Sequence, residues 1–135
     1  MPWPRSASSS ARQKPPKRSS RRLLRIHGHS MAPALNPGEL VVVDEAAYRV
    51  RAPRRGEIVA ACPSALDGQV LIKRIAALPN QRVTIEGREW QLSCDEFFLL
   101  GDRRDDSYDS RAFGPVTRDA LIGPIQRRLW PWTRL

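Results

Sequence analysis

Apolar positions in this chain come in short runs broken by Pro, Gly and charged residues, with no sustained helical spacing. Residues 40–44 (LVVVD) are β-branched and follow the turn signals Pro37 and Gly38, which predicts a short buried strand. Residues 53–56 read as a turn, and 57–62 (EIVAAC) as the next strand. Residues 69–78 (QVLIKRIAAL) fit a strand or a short helix by length, and their Val, Leu and Ile content favours strand. Residues 82–86 and 89–92 flank Gly87-Arg88 as a hairpin. Residues 23–27, 97–100 and 125–130 complete the set of strands, and 119–122 read as a helical turn. Residues 102–115 form a long polar loop, the kind of segment that carries function. No stretch supports a helix of three full turns. The pattern predicts a mainly β class: a single compact domain of short antiparallel strands over residues 23–135.

Charge sharpens the boundary of that domain. The 135 residues carry 23 Lys+Arg and 14 Asp+Glu, a net charge of +9. Residues 1–22 hold seven of the basic residues and no acidic one, together with six Ser and four Pro. Such a segment buries too little apolar surface to offset its ordering entropy, so a disordered basic arm is expected at 1–22. It reads either as a solvated tail or as a weak electrostatic contact for anionic lipid or an acidic partner. The rest is close to neutral, which argues against reading the whole protein as a nucleic-acid binder; a non-enzymatic basic nucleic-acid-associated module is the second alternative. A membrane span needs about 20 mostly apolar residues in a row, and the longest runs here are far shorter. The basic N-terminus has no apolar stretch behind it, so it is not a secretory signal. The expectation is a soluble, cytoplasmic protein with at most peripheral membrane contact. Cys62 and Cys94 are too few for a disulfide scaffold or a four-Cys zinc site and leave one bridge open.

Three segments are out of place as plain structure. In Gly28-His29-Ser30-Met31-Ala32-Pro33, a Ser closes a strand and enters a turn, where free backbone N–H groups can serve an oxyanion; a turn-capping Ser explains the same residues. In Lys73-Arg74, charges interrupt an apolar strand, and alternation sends the two side chains to opposite faces. An inward Lys73 is desolvated, its pKa falls below about 10.4, and the neutral amine becomes a general base; an edge-strand Lys that prevents aggregation is the plainer reading. The third segment runs from Gly101 to Arg111 and on through Phe113-Gly114-Pro115-Val116. Asp102, Asp105, Asp106 and Asp109 alternate with Arg103, Arg104 and Arg111 around Ser107, a pattern suited to a loop stiffened by ion pairs. A calcium loop is the rival, but EF-hand spacing is absent and the arginines repel a cation. His29 neighbours Ser30, yet adjacent strand residues point apart, so it reads as structural or substrate-lining. Trp3, Trp90, Trp130 and Trp132 read as packing residues.

In this order the three segments resemble the type I signal peptidase family of serine–lysine proteases, from about Ile26 to Val116. The resemblance implies a mostly β fold, with Ser30 as nucleophile, Lys73 as general base and Ser107 orienting the lysine. Asp102, Asp109 and Arg111 match the ion-pairing residues beneath it. Gly28 stands where some members have a second oxyanion serine, and Gly28 and Met31 are expected at the substrate site. The implied activity is removal of an N-terminal leader from a precursor protein, with no metal or organic cofactor. Departures are the basic arm where members carry membrane spans, only 28 residues between Arg74 and Arg103 where many carry a second domain, and Arg103 in place of the usual Asn. Short length and the Leu129-Trp130-Pro131 tail are most similar to the maturation peptidases of nickel-type superoxide dismutase. A conventional signal peptidase at the membrane is the alternative. A self-cleaving repressor-type protease also uses a Ser–Lys pair, but no DNA-binding helical region precedes Ser30.

Overall fold

The computed structural model describes residues 20–130 and 133–134. The expected arm therefore lies outside the described residues up to position 19, as do Trp3, Pro131 and Trp132. Along the chain come β1 (Arg21–Arg25), β2 (Leu40–Asp44), α1 (Ala47–Val50), β3 (Ile58–Ala61), β4 (Leu71–Ala77), β5 (Arg82–Ile85), β6 (Arg88–Gln91), β7 (Glu96–Leu100), α2 (Ser110–Phe113), β8 (Val116–Thr117), β9 (Leu121–Trp130) and β10 (Thr133–Arg134). An eight-stranded sheet runs β1-β2-β9-β3-β4-β7-β8, with β10 also on β9, and β5 pairs with β6 alone. Every pairing is antiparallel. The class is mainly β, as the short apolar runs predict, and both helices are single turns of four residues.

The apolar runs are continuous because the central strands are buried on both faces. On β7, Phe97 and Leu99 join one core with Val59, Ala61, Ile75 and Tyr48, while Phe98 and Leu100 join another with Ala77 and Leu92. A third core gathers Ile26, Met31, Leu35, Val41, Val43, Ala60 and Ile125. It lies under β1 and the Ser30 turn, so packing of β2 and β9 holds that turn in place.

Four boundaries differ from the sequence-based expectation. Strand β1 begins at Arg21, because its ladder with β2 extends to Arg21 opposite Asp44; two arm residues are thus sheet residues. The hairpin turn is Glu86-Gly87, one residue earlier than expected, since Ile85 pairs with Arg88. The helical turn predicted at 119–122 is a 3-10 turn at Arg118–Ala120. Strand β9 starts at Leu121 and runs through Gly123-Pro124, which reads locally as a break. Pro124 sits opposite Val59, and Gly123 is needed because a Cβ there would lie 2.1 Å from the Asp44 carbonyl oxygen. Cys62 and Cys94 are both free thiols, which closes the question of a bridge between them.

Candidate active site

Strand β4 places Lys73 and Ile75 on one buried side and Arg74 on the other. Lys73 is only 4% exposed. Its Nζ donates to Ser107 Oγ at 3.0 Å, and Ser107 Oγ donates to Asp109 Oδ2 at 2.8 Å. Burial is the largest influence on Lys73 and holds its pKa below the ordinary value; Asp109 and Asp106 oppose it, and Arg111 reinforces it. Asp109 is 1% exposed. Burial pushes its carboxyl up, but hydrogen bonds from Arg111, the Gly101 amide and Ser107 outweigh this and hold it below the usual range. These bonds are 2.9 Å from Arg111 Nε and 3.0 Å from Gly101 N. Asp109 also caps α2, accepting from the Arg111 amide at 3.1 Å. Ser110, fully buried behind it, accepts from the Leu99 amide at 2.9 Å and ties the loop to β7.

Ser30 and Met31 share one cavity of about 490 Å³ with Lys73. Its walls are residues 23–27 on and after β1 and residues 69–73 on and before β4. Met31 is 2% exposed, so it forms the cavity floor as part of the core. The Ser30 carbonyl accepts from the Arg103 amide at 2.8 Å, which ties the Ser30 turn to the Asp102–Arg111 loop. Among the described residues, both flanking strands offer unpaired backbone. Strand β1 is a sheet edge, and the β7 ladder on β4 begins only at Arg74, leaving 71–73 paired with β3 alone.

The structure does not bring all predicted site residues together. Gly28 is exposed, has φ +77° and stands off the cavity wall. Asp102 does not pair with Arg111. It pairs with Arg74, at 2.9 and 2.7 Å, because Arg74 leaves β4 on the face opposite Lys73. Arg74 also donates to the Gly56 carbonyl at 2.9 Å, so the pair clamps β4 between two turns. His29 is exposed and off the cavity wall, whereas His27, which drew no attention in the sequence, lines it. Gly101 was also missed as an individual residue. A Cβ on it would lie 2.1 Å from Ser107 Oγ and 2.9 Å from the Ser30 carbonyl, so only glycine lets the two serine segments approach. Its signal was a Gly-Asp step directly after an apolar strand. Among the described residues, no group of His, Cys, Asp and Glu is arranged to hold a metal ion. The calcium reading fails on positive grounds: the carboxylates of Asp102 and Asp109 are taken by Arg74 and by Arg111, Gly101 and Ser107.

A buried lysine bonded to a serine, in a cleft holding a second serine, is chemistry for acyl transfer. The sequence model of the family described as signal peptidase, peptidase S26, matches residues 21–93 and 86–130. The chain is 33% identical to a signal peptidase I from Leptolyngbya laminosa, an alignment taking in 82% of this chain and 69% of that protein. It is 31% identical to a probable signal peptidase I-2 from Synechocystis sp., over 82% of this chain and 63% of that one. It is 33% identical to subunit 2 of a mitochondrial inner membrane protease from Mus musculus, over 82% and 70%. On the matched stretch and the fold together, the chain belongs to the signal peptidase family, peptidase S26, a family of serine endopeptidases.

Proposed function

We propose that this chain cleaves a precursor protein by a Ser30–Lys73 dyad and releases an N-terminal leader. The observation that carries the reading is Lys73: an amine buried to 4%, depressed in pKa by burial and held by Ser107 in the cavity that contains Ser30. Neutral Lys73 takes the Ser30 proton as Oγ attacks the scissile carbonyl, and the Ser30 amide faces the oxyanion. Lys73 then protonates the leaving amine. The freed lysine activates a water that hydrolyses the acyl-enzyme. The substrate lies extended between β1 and residues 69–73, adding hydrogen bonds to their unpaired edges. Membership in an endopeptidase family favours this over a non-enzymatic basic module.

The substrate we propose is the leader of a nickel-type superoxide dismutase precursor, on the small separation between the Lys73 strand and the last motif. A secreted precursor is the second reading, supported by the relatives named signal peptidase I. Side-by-side digestion of the two precursors decides between them: cutting of the secreted one alone overturns the first choice. Ser30→Ala and Lys73→Ala should each lower turnover on the order of ten-thousandfold or more, and the double variant little further, because the pair acts as a unit. Substantial turnover by Lys73→Ala at neutral pH would defeat the dyad.

A further inference from the structure

Among the described residues, the β5–β6 hairpin meets the rest of the molecule through an apolar and an ionic contact. One is apolar: Val83, Ile85 and Trp90 pack on the Phe98 and Leu100 side of β7, with the Trp90 and Phe98 ring centroids 5.1 Å apart. The other is ionic. At the hairpin tip, the Glu86 carboxylate accepts from Arg111 Nη1 at 2.8 Å. Glu86 and Gly87 form the two-residue turn with φ of 54° and 79°. Such a turn favours Asn or Asp first, whose short side chains tolerate the left-handed backbone; a Glu there is strained. The turn itself therefore does not ask for Glu. Reaching Arg111 does, because an Asn is one methylene too short.

We propose that Glu86 is a positioning residue for the general base, fixing Arg111 so that Asp109, Ser107 and Lys73 keep their alignment. The inference rests on the Ser30–Lys73 reading above. Arg111 is held at three nitrogens: Nη1 by Glu86, Nε by the Asp109 carboxylate at 2.9 Å, and Nη2 by the same carboxylate at 3.1 Å and by the Arg104 and Ser107 carbonyls. Glu86 holds the Nη1 arm, which the Asp109 carboxylate and the loop carbonyls leave to it, and so completes the seat of the guanidinium on the carboxylate that Ser107 Oγ bonds while it holds Lys73. The charged groups facing Lys73 are Asp109 and Asp106, which favour its protonated form, and Arg111, which opposes it. Losing the Glu86 anion leaves Arg111 less neutralised.

The test compares Glu86→Asn, which suits the turn but falls short of Arg111, with Glu86→Gln, which keeps both reach and an acceptor. Cleavage kinetics on a leader peptide are measured with thermal unfolding and with the titration of Lys73 by carbon-13 NMR. Labelling is simple, since the chain has only Lys14, Lys17 and Lys73. Glu86→Asn should unfold at the parent temperature or higher, with kcat down about three- to tenfold and KM unchanged, the loss of one half-exposed charge-assisted bond. Glu86→Gln should recover most of that rate. Both variants should lower the Lys73 titration midpoint. A parental kcat in Glu86→Asn, a rate loss that Glu86→Gln shares in full, or an unmoved Lys73 titration overturns the proposal. A parent chain no more active than its Ser30→Ala variant defeats the dyad instead, and the Lys73 titration then decides the role of Glu86 by itself.

Discussion

Lys73 sits where two demands oppose each other. Burial favours its neutral form, while Asp109 and Asp106 favour the charged one. The depressed pKa shows that burial prevails, and its sign makes two predictions. Turnover should rise with pH along an acid limb that reports Lys73, and an acid limb near pH 4 in the kcat/KM profile would point to a carboxylate base. Stability carries the same sign. Below the folded pKa both states hold the proton, and burying the charge costs in full. Between the folded pKa and the unfolded value of about 10.4, only the unfolded chain holds it, so stability rises with pH until the cost is gone. Lys73→Met should remove that rise and unfold at a higher temperature than the parent at neutral pH; equal slopes of melting temperature against pH in the two proteins would refute the assignment. Gly101 carries a third residue-scale prediction. Gly101→Ala drives a methyl into Ser107 and the Ser30 carbonyl. It should cost about 2 kcal/mol of stability from overpacking and, through misplacement of Ser107, about a hundredfold in kcat. Parental rates in Gly101→Ala would show that the two serine segments have slack.

Among the elements, the 102–111 loop shows how far the sequence can be read. Its alternating charges announce an ion-paired loop, which is a local signal; a serine there bonded to the lysine is what the family resemblance implies. Which carboxylate meets which arginine is not local. Asp102 lies nearer Arg111 in sequence than Arg74, but β4 delivers Arg74 to it and the hairpin delivers Glu86 to Arg111. The length of β9 was hidden for the same reason: Gly123-Pro124 reads as a break until Asp44 and Val59 are placed beside it. Glu86 went unremarked because a turn carries no sign of a partner 25 residues away. The revised pairing separates two substitutions. Arg111→Ala leaves the fully buried Asp109 carboxylate without its guanidinium and should cost about 3 kcal/mol. Asp102→Ala opens a pair that is part-exposed on both sides and should cost about 1 kcal/mol or less. Denaturant melts of the two variants check this, and an Asp102→Ala loss equal to that of Arg111→Ala would reinstate a shared network.

At the scale of the whole molecule, charge and catalytic surface are unevenly placed. No described helix is long and apolar enough to cross a membrane. The net charge of +9 is concentrated in residues 1–22, whose last two, Arg21 and Arg22, are exposed on β1 together with Arg25 around an exposed Leu23. The same strand walls the cavity, so Arg25 lies next to the proposed path of the substrate. Near an anionic surface each basic residue contributes about 1 kcal/mol. That attraction is screened within about 8 Å at physiological ionic strength, so it fades at high salt. The chain should therefore bind vesicles containing anionic lipid at low salt, leave them at high salt without detergent, and ignore neutral vesicles. Removing residues 1–19 should weaken this binding severalfold, the residual coming from the three arginines of β1, while cleavage of a leader peptide in solution stays at the parental rate. Flotation with both vesicle types at two salt concentrations measures the first part, and peptide kinetics the second. Binding that persists at high salt and yields only to detergent would show an apolar attachment in place of an electrostatic one. It would also move the proposed site of action to the membrane and the substrate choice to secreted precursors.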